Sequence, residues 1–282
     1  MKLAYLILAH HNPLLLQRLV NALSYSQVDI YIQVDLKTNI EPFLQIGKCK
    51  NVFFVEKRVK VFWGAYSQVQ AILNGFEHIL NSGNTYAYVN LLSGQDYPLQ
   101  PADKILEFFR NNPDKAFIEY YSIEDVWQEA LPRIRQYHLT DFHFTGRFFV
   151  QKLMNWLLPV RQVPKDMEPV GRSTWFTITP EHIRYILSFL HDNPKIRRYF
   201  RLVWGVDELI FQTILYNSPY KSQMVNDHLR YIDWSAGGVN PKTLTMEDEQ
   251  TLLNSECLFA RKFAGPDSEL LDSIDKKILK KP

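Results

Sequence analysis

The chain is poor in several residue types, and each scarcity closes a route. It has only two cysteines, Cys49 and Cys257, in 282 residues. They are far apart and lack metal-ligand spacing, so no disulfide framework is implied and a reducing compartment is expected. No apolar run is long enough to span a bilayer. The apolar start, Leu3–Ala9, runs into His10-His11-Asn12-Pro13 without a small-residue cleavage pattern, and reads as a first core strand rather than a signal peptide. A net charge of only +2 lacks the basic footprint of a nucleic-acid binder. No Gly-x-Gly-x-x-Gly follows the first strand, and neither a Walker A loop nor a Gly-x-Ser-x-Gly elbow occurs, which argues against dinucleotide enzymes, NTPases and serine hydrolases. The eight histidines include no i, i+4 pair with a nearby carboxylate, so no zinc helix is expected.

What is present is a chain long enough to bury a large core, with aromatics at a high 14%. Apolar runs alternate with helical periodicity. Strands are expected at Leu3–Ala9, Ile30–Val34, Val52–Val55, Tyr86–Leu92, Ala116–Tyr120, Trp175–Thr179 and Leu229–Asp233. Asn12-Pro13 supplies a cap and first-turn proline for a helix to Leu23. Val69, Ile72, Leu73, Phe76 and Ile79 recur at helical spacing between Tyr66 and Leu80. Further helices are expected at Asp103–Arg110, from Pro180 to Leu190, over Val206–Tyr216 and in the tail from Asp272. This order implies an α/β fold with a largely parallel sheet covered on both faces. Residues Ser122 to Gly171 read as less regular, rich in Arg, His and aromatics, and are expected to form an insert or lid. The chain thus divides into 1–121, a nucleotide-binding half, 122–171, and 172–282, an acceptor and catalytic half, of a single domain.

Candidate chemistry lies where strands and helices change over. Tyr86–Leu92 breaks into Ser93-Gly94-Gln95-Asp96-Tyr97-Pro98, and ligands of open α/β sheets sit beyond the carboxyl ends of strands. Asp35 closes the second strand; it can cap a turn or accept hydrogen bonds from a nucleotide. Asp207-Glu208 opens a helix after Trp204-Gly205. Acids there offset the exposed N–H groups and the dipole, yet a carboxylate beside an aromatic ring in a cleft also suits a general base. No Asp-x-Asp occurs, although many nucleotide-sugar transferases hold a metal with that pair; without it a leaving diphosphate needs Arg, Lys or backbone donors. Leu258-Phe259-Ala260-Arg261-Lys262-Phe263 offers cations, and Lys242 another, while solvated surface lysine is the ordinary alternative. The terminal Lys276-Lys277-Ile278-Leu279-Lys280-Lys281 reads as a soluble helix face, with weak electrostatic contact to anionic lipid as the functional alternative.

In order, Leu8-Ala9-His10-His11, Val34-Asp35, Trp63-Gly64-Ala65-Tyr66-Ser67, Asn90 to Leu99, Gly171 to Phe176, Asp207-Glu208, Thr213 to Ser218, Leu229 to Trp234 and Phe259 to Phe263 resemble the branching β-1,6-N-acetylglucosaminyltransferase and peptide O-xylosyltransferase family. The resemblance spans nearly the whole chain. It implies a nucleotide-sugar-binding glycosyltransferase A-type fold, a mixed and mostly parallel sheet flanked by helices, and inversion at the anomeric carbon; at least some members work without a bound metal, and with no Asp-x-Asp here no metal cofactor is expected. It puts the catalytic base on Glu208. The donor UDP-sugar would be bound by His10, Asp35, Ser93, Gly94, Asp96, Arg261, Lys262 and Lys242. A glycan or glycolipid acceptor would be bound by Trp175, Asp207, Arg230 and Trp234. Lacking the membrane anchor, stem and many cysteines of eukaryotic members, the chain is expected to be a compact bacterial relative in the cytoplasm, at most peripheral to the inner membrane face. A non-catalytic carbohydrate-binding protein would use the same aromatics without needing Glu208.

Overall fold

A computed structural model describes residues 1–48, 50–164 and 167–280. Cys49 and the Lys281-Pro282 end of the lysine cluster lie outside the described residues. Among the described residues ten strands form: β1 (Leu3–Ala9), β2 (Val28–Val34), β3 (Val52–Phe54), β4 (Tyr88–Ser93), β5 (Tyr97–Pro98), β6 (Ala116–Ser122), β7 (Val170–Ile178), β8 (Met224–Val225), β9 (Arg230–Ile232) and β10 (Phe259–Arg261). Seven make one sheet in the order β3-β2-β1-β4-β7-β6-β8, and β5-β10-β9 make a second. The large sheet is the expected mixed, mostly parallel one. β1 pairs in parallel with β2 and β4, whereas β7 runs antiparallel to both β4 and β6.

Alternation along β1 shows why both faces are covered. Leu3, Tyr5, Ile7 and Ala9 enter one core with helix Pro13–Leu23, and Ala4 and Leu6 enter the other with helix Tyr66–Leu80. The first helix starts as expected: Asn12 Oδ1 accepts the N–H of Leu15 at 3.1 Å, with Pro13 behind it. Asn12 Nδ2 also donates to the carbonyl of Ala264 at 3.0 Å, drawing the end of β1 toward the segment after β10.

Several expectations need correction. The expected helix Val206–Tyr216 is a 3₁₀ turn, Val206–Glu208, followed by an α-helix, Ile210–Tyr216. β7 begins at Val170, well before Trp175, because Gly171 and Arg172 pair with Tyr121 and Tyr120 of β6. The region 122–171 is not uniformly irregular; it holds helices Leu131–Arg135 and Arg147–Leu157. The tail helix starts at Glu269, capped by Ser268, and buries Leu270, Leu271 and Ile274, while Lys277 pairs with Glu249 at 2.7 Å. Its apolar side is therefore used by the core. Among the described residues no helix is long and apolar enough to cross a membrane.

Candidate active site

β7 links two groups of candidate residues. It pairs with β4 at Val89↔Ile178 and Asn90↔Thr177, and its residues before Thr177 are not paired with β4. Two charged groups flank this unpaired stretch, and neighbouring residues of β7 reach each of them. Thr174 Oγ1 donates to Asp207 Oδ2 at 2.6 Å, and the ring of Trp175 lies 4.2 Å from the guanidinium of Arg261.

The first group surrounds Glu208. Asp207 is buried, and its Oδ2 also accepts from Gln68 Nε2 at 2.8 Å, while Oδ1 has no partner. Burial raises the Asp207 carboxyl above its ordinary range, opposed by the Thr174 hydrogen bond and the charge of Arg133. Glu208 is pushed up to about 7, by loss of solvent and then by the Asp207 charge, against the pull of Arg133 and Arg172. Arg133 Nη1 donates to Glu208 Oε2 at 2.5 Å, and Glu208 Oε1 accepts no hydrogen bond among the described residues. With 32% of its side chain exposed, Glu208 remains reachable. The Arg133 guanidinium is itself held between Trp127 and Trp204, 4.7 and 4.5 Å from the ring centroids.

Glycine makes this approach possible. Gly205 has φ +64°, and a Cβ there would stand 2.8 Å from Arg133 Nη1. At Gly171 a Cβ would overlap the carbonyl oxygen of Glu208, so β7 and the 3₁₀ turn touch backbone to backbone.

The second group gathers the ends of β1, β2 and β10. Asp35 Oδ1 accepts the N–H groups of Lys37 at 2.9 Å and Val61 at 3.2 Å, so the turn-capping reading holds, whatever else it binds. The His10 carbonyl accepts from Thr38 Oγ1 at 2.8 Å. Partial burial holds His10 below an ordinary imidazole, helped by His11; the Asp35 charge opposes this, and Lys262 and Lys37 reinforce it. His10, Asp35 and Lys262 therefore share one electrostatic neighbourhood. Lys262 is half-buried beside Leu244, whose N–H donates to the Lys262 carbonyl at 2.9 Å.

The polar loop after β4 has a different use from direct contact. Ser93 N donates to Asp96 Oδ2 at 2.9 Å, Gly94 N to the Leu8 carbonyl at 2.9 Å, and Gln95 and Phe263 exchange bonds. β5 then pairs with β10. The loop is the scaffold that carries Arg261 and Lys262. Asp96 has no exposed surface and its Oδ1 lies 3.4 Å from Arg261 Nε, so direct donor binding by Asp96 is corrected to orientation of Arg261. Burial raises the Asp96 carboxyl, opposed by the Arg261 charge.

Arg230 is also corrected. It is 3% exposed and donates to Asn90 Oδ1, to the carbonyls of Leu91 at 2.8 Å and Phe176 at 3.3 Å, and to that of His228. It straps the small sheet to the large one, and its burial leaves it little surface for direct contact with a ligand. Trp175 packs on Arg261. Trp234 is 55% exposed beyond β9, open for stacking. Lys242 is engaged, 2.7 Å from Asp248 Oδ1 and 3.8 Å from Asp233 Oδ2.

Arg133 and Trp127 escaped the sequence reading; its only trace was the Arg- and aromatic-rich composition of the middle region. Among the described residues no three His, Cys, Asp or Glu side chains gather as ligands for a metal ion.

A raised, partly exposed carboxyl and a group of cations thus flank neighbouring residues of β7, an arrangement that marks a candidate functional site. Comparison with known proteins assigns the chain to a family. The chain belongs to the Core-2/I-Branching enzyme family, whose model matches residues 3–253. Xylosyltransferase 2 of Mus musculus is 25% identical over 302 residues, covering 97% of this chain and 33% of that protein. Xylosyltransferase 1 of Homo sapiens is 24% identical over 229 residues, covering 78% of this chain and 22% of that protein. The chain thus spans a third or less of these curated relatives. Among solved structures, apo mouse xyloside xylosyltransferase 1 aligns with a TM-score of 0.45 at 12% identity, over 92% of this chain and 97% of that one.

Proposed function

We propose that the chain is an inverting glycosyltransferase that moves a sugar, GlcNAc or xylose, from a UDP-sugar to a hydroxyl of a glycan acceptor. The observation that carries this reading is Glu208, a reachable carboxylate pushed up to about 7 by desolvation beside a buried acid. A base works best when its pKa lies near the working pH. Family membership supports the sugar-transfer class, and the xylosyltransferase relatives favour these donors.

In the proposed step Glu208 takes the proton of the acceptor hydroxyl as that oxygen bonds to the anomeric carbon. The bond from that carbon to the diphosphate oxygen breaks, and UDP leaves with the electron pair from the opposite face. Lys262 and Arg261 offset the charge on the departing diphosphate, since the sequence has no Asp-x-Asp to hold a metal there. Asp35 and His10 border the nucleoside end, and Trp234 stacks on the acceptor.

The test is UDP release from UDP-xylose or UDP-GlcNAc with glycan acceptors, in the presence of a chelator, with the product's anomeric configuration read by NMR. Acceptor-dependent release and a β-linked product are expected. Donor binding without release would make the chain a binding protein. Release that needs manganese would end the metal-free step. Lys262→Ala is expected to weaken UDP binding about tenfold, the scale of one charge-assisted contact, measured by calorimetry.

A further inference from the structure

Helix Arg147–Leu157 is built inside out. Its polar Gln151 and Asn155, one turn apart, face the protein: Gln151 Oε1 accepts the N–H of Leu139 at 2.8 Å, and Asn155 Oδ1 that of Tyr137 at 2.7 Å. The opposite side carries the apolar residues. Phe149 is 71% exposed, Trp156 77% and Leu157 62%, with Phe148 at 72% on the flank. No residue of this helix is buried. Surface helices normally turn such a stripe to the core, and contiguous apolar exposure of this kind marks an interaction surface.

Charge decides among occupants. From Phe142 to Pro164 the chain has no acidic residue, while Arg147, Lys152 and Arg161 are cationic. Arg161 is buried and caps carbonyls, and Arg147 donates to the carbonyls of Thr140 and Phe142, so Lys152 is the exposed cation on the helix. The acid before this stretch, Asp141, is turned inward and accepts the N–H of Ser67 at 3.0 Å. On the side of Asn155, a separate groove of about 290 Å³ runs between Leu131, Pro132, Arg135 and Tyr137 and the helix's end at Leu158 and Val160. Aromatic and aliphatic side chains outward, a terminal Trp, and basic residues without acids form the composition that settles at a lipid–water interface.

We propose that this helix docks the protein on an anionic lipid bilayer, with Phe149, Trp156 and Leu157 in the headgroup–acyl boundary and Lys152 on the lipid phosphates. The segment lies beside the helix that carries Arg133, since Leu131, Pro132 and Arg135 line one groove with Asn155 and Leu158. Docking there would bring the cleft to a membrane surface. The inference differs from a lysine contact at the C-terminus, and it does not depend on sugar transfer.

The test is flotation of the full chain with phosphatidylcholine vesicles, with and without phosphatidylglycerol, alongside light scattering for oligomeric state. The wild type is expected to be monomeric and to float only with the anionic vesicles. Lys152→Glu should cut that binding about tenfold, and Phe149→Ser with Trp156→Ser should abolish it. These side chains are mostly exposed, so unchanged thermal midpoints are expected to accompany the loss. Failure of the wild type to float, or equal flotation of the double variant, would overturn the proposal. So would a wild-type dimer that the double variant dissolves, which would give the face to a second copy.

Discussion

Asp35 and Glu208 are both acids at element boundaries, yet the protein treats them in opposite ways. Asp35 is met by two backbone N–H groups and has the Lys37 ammonium 3.5 Å away. Glu208 has one guanidinium, loses water, and stands beside a second carboxylate. Fixed N–H donors solvate an anion in place and suit recognition. Desolvation next to a like charge raises the proton affinity and suits proton transfer. Under the proposed function, Asp35 would serve binding and Glu208 proton transfer.

That contrast can be broken at either end. Glu208→Gln is expected to lower turnover by about two to four orders of magnitude while UDP binding survives in calorimetry; near-normal turnover would remove Glu208 as the base. Gly171→Ala forces a methyl against the Glu208 backbone and should cost about 1–3 kcal/mol of stability in denaturant unfolding, as overpacking does. An unchanged midpoint would contradict the close approach of β7 to the turn. Asp35→Asn should weaken donor affinity about tenfold with turnover nearly kept, because the amide oxygen still accepts the turn's N–H groups. A loss of turnover equal to that of Glu208→Gln would erase the distinction.

The smallest effect concerns pH. A general base works as its anion, so activity should rise as pH increases through about 7, where Glu208 titrates. Arg133 favours the charged form, so Arg133→Met should move that rise to higher pH. A rise that stays in place, or moves to lower pH, would show that the titrating group is not Glu208.

Much of the scaffold was legible because its signals are local. A continuous apolar run made β1 at the expected residues, Asn12-Pro13 capped the first helix, and the spacing of Val69 to Ile79 marked the helix Tyr66–Leu80. Short-range pattern failed where burial reversed a residue's role. Asp96 and Arg230 looked like ligands and proved to be buried supports, since a polar residue in a motif does not announce which way it points. Helix Arg147–Leu157 shows the same limit, because periodicity defines a face without saying what the face meets.

The amino-acid order by itself determined the α/β alternation, the family and the acid that opens the turn at 207–208, since these depend on neighbours a few positions apart. Only the tertiary structure decided which charges meet. Arg133 lies 75 residues before Glu208 and donates to it directly, its guanidinium stacked on two tryptophans. Solvent exclusion, which raises that acid's proton affinity, is a property of packed surroundings, and no single segment of chain contains it.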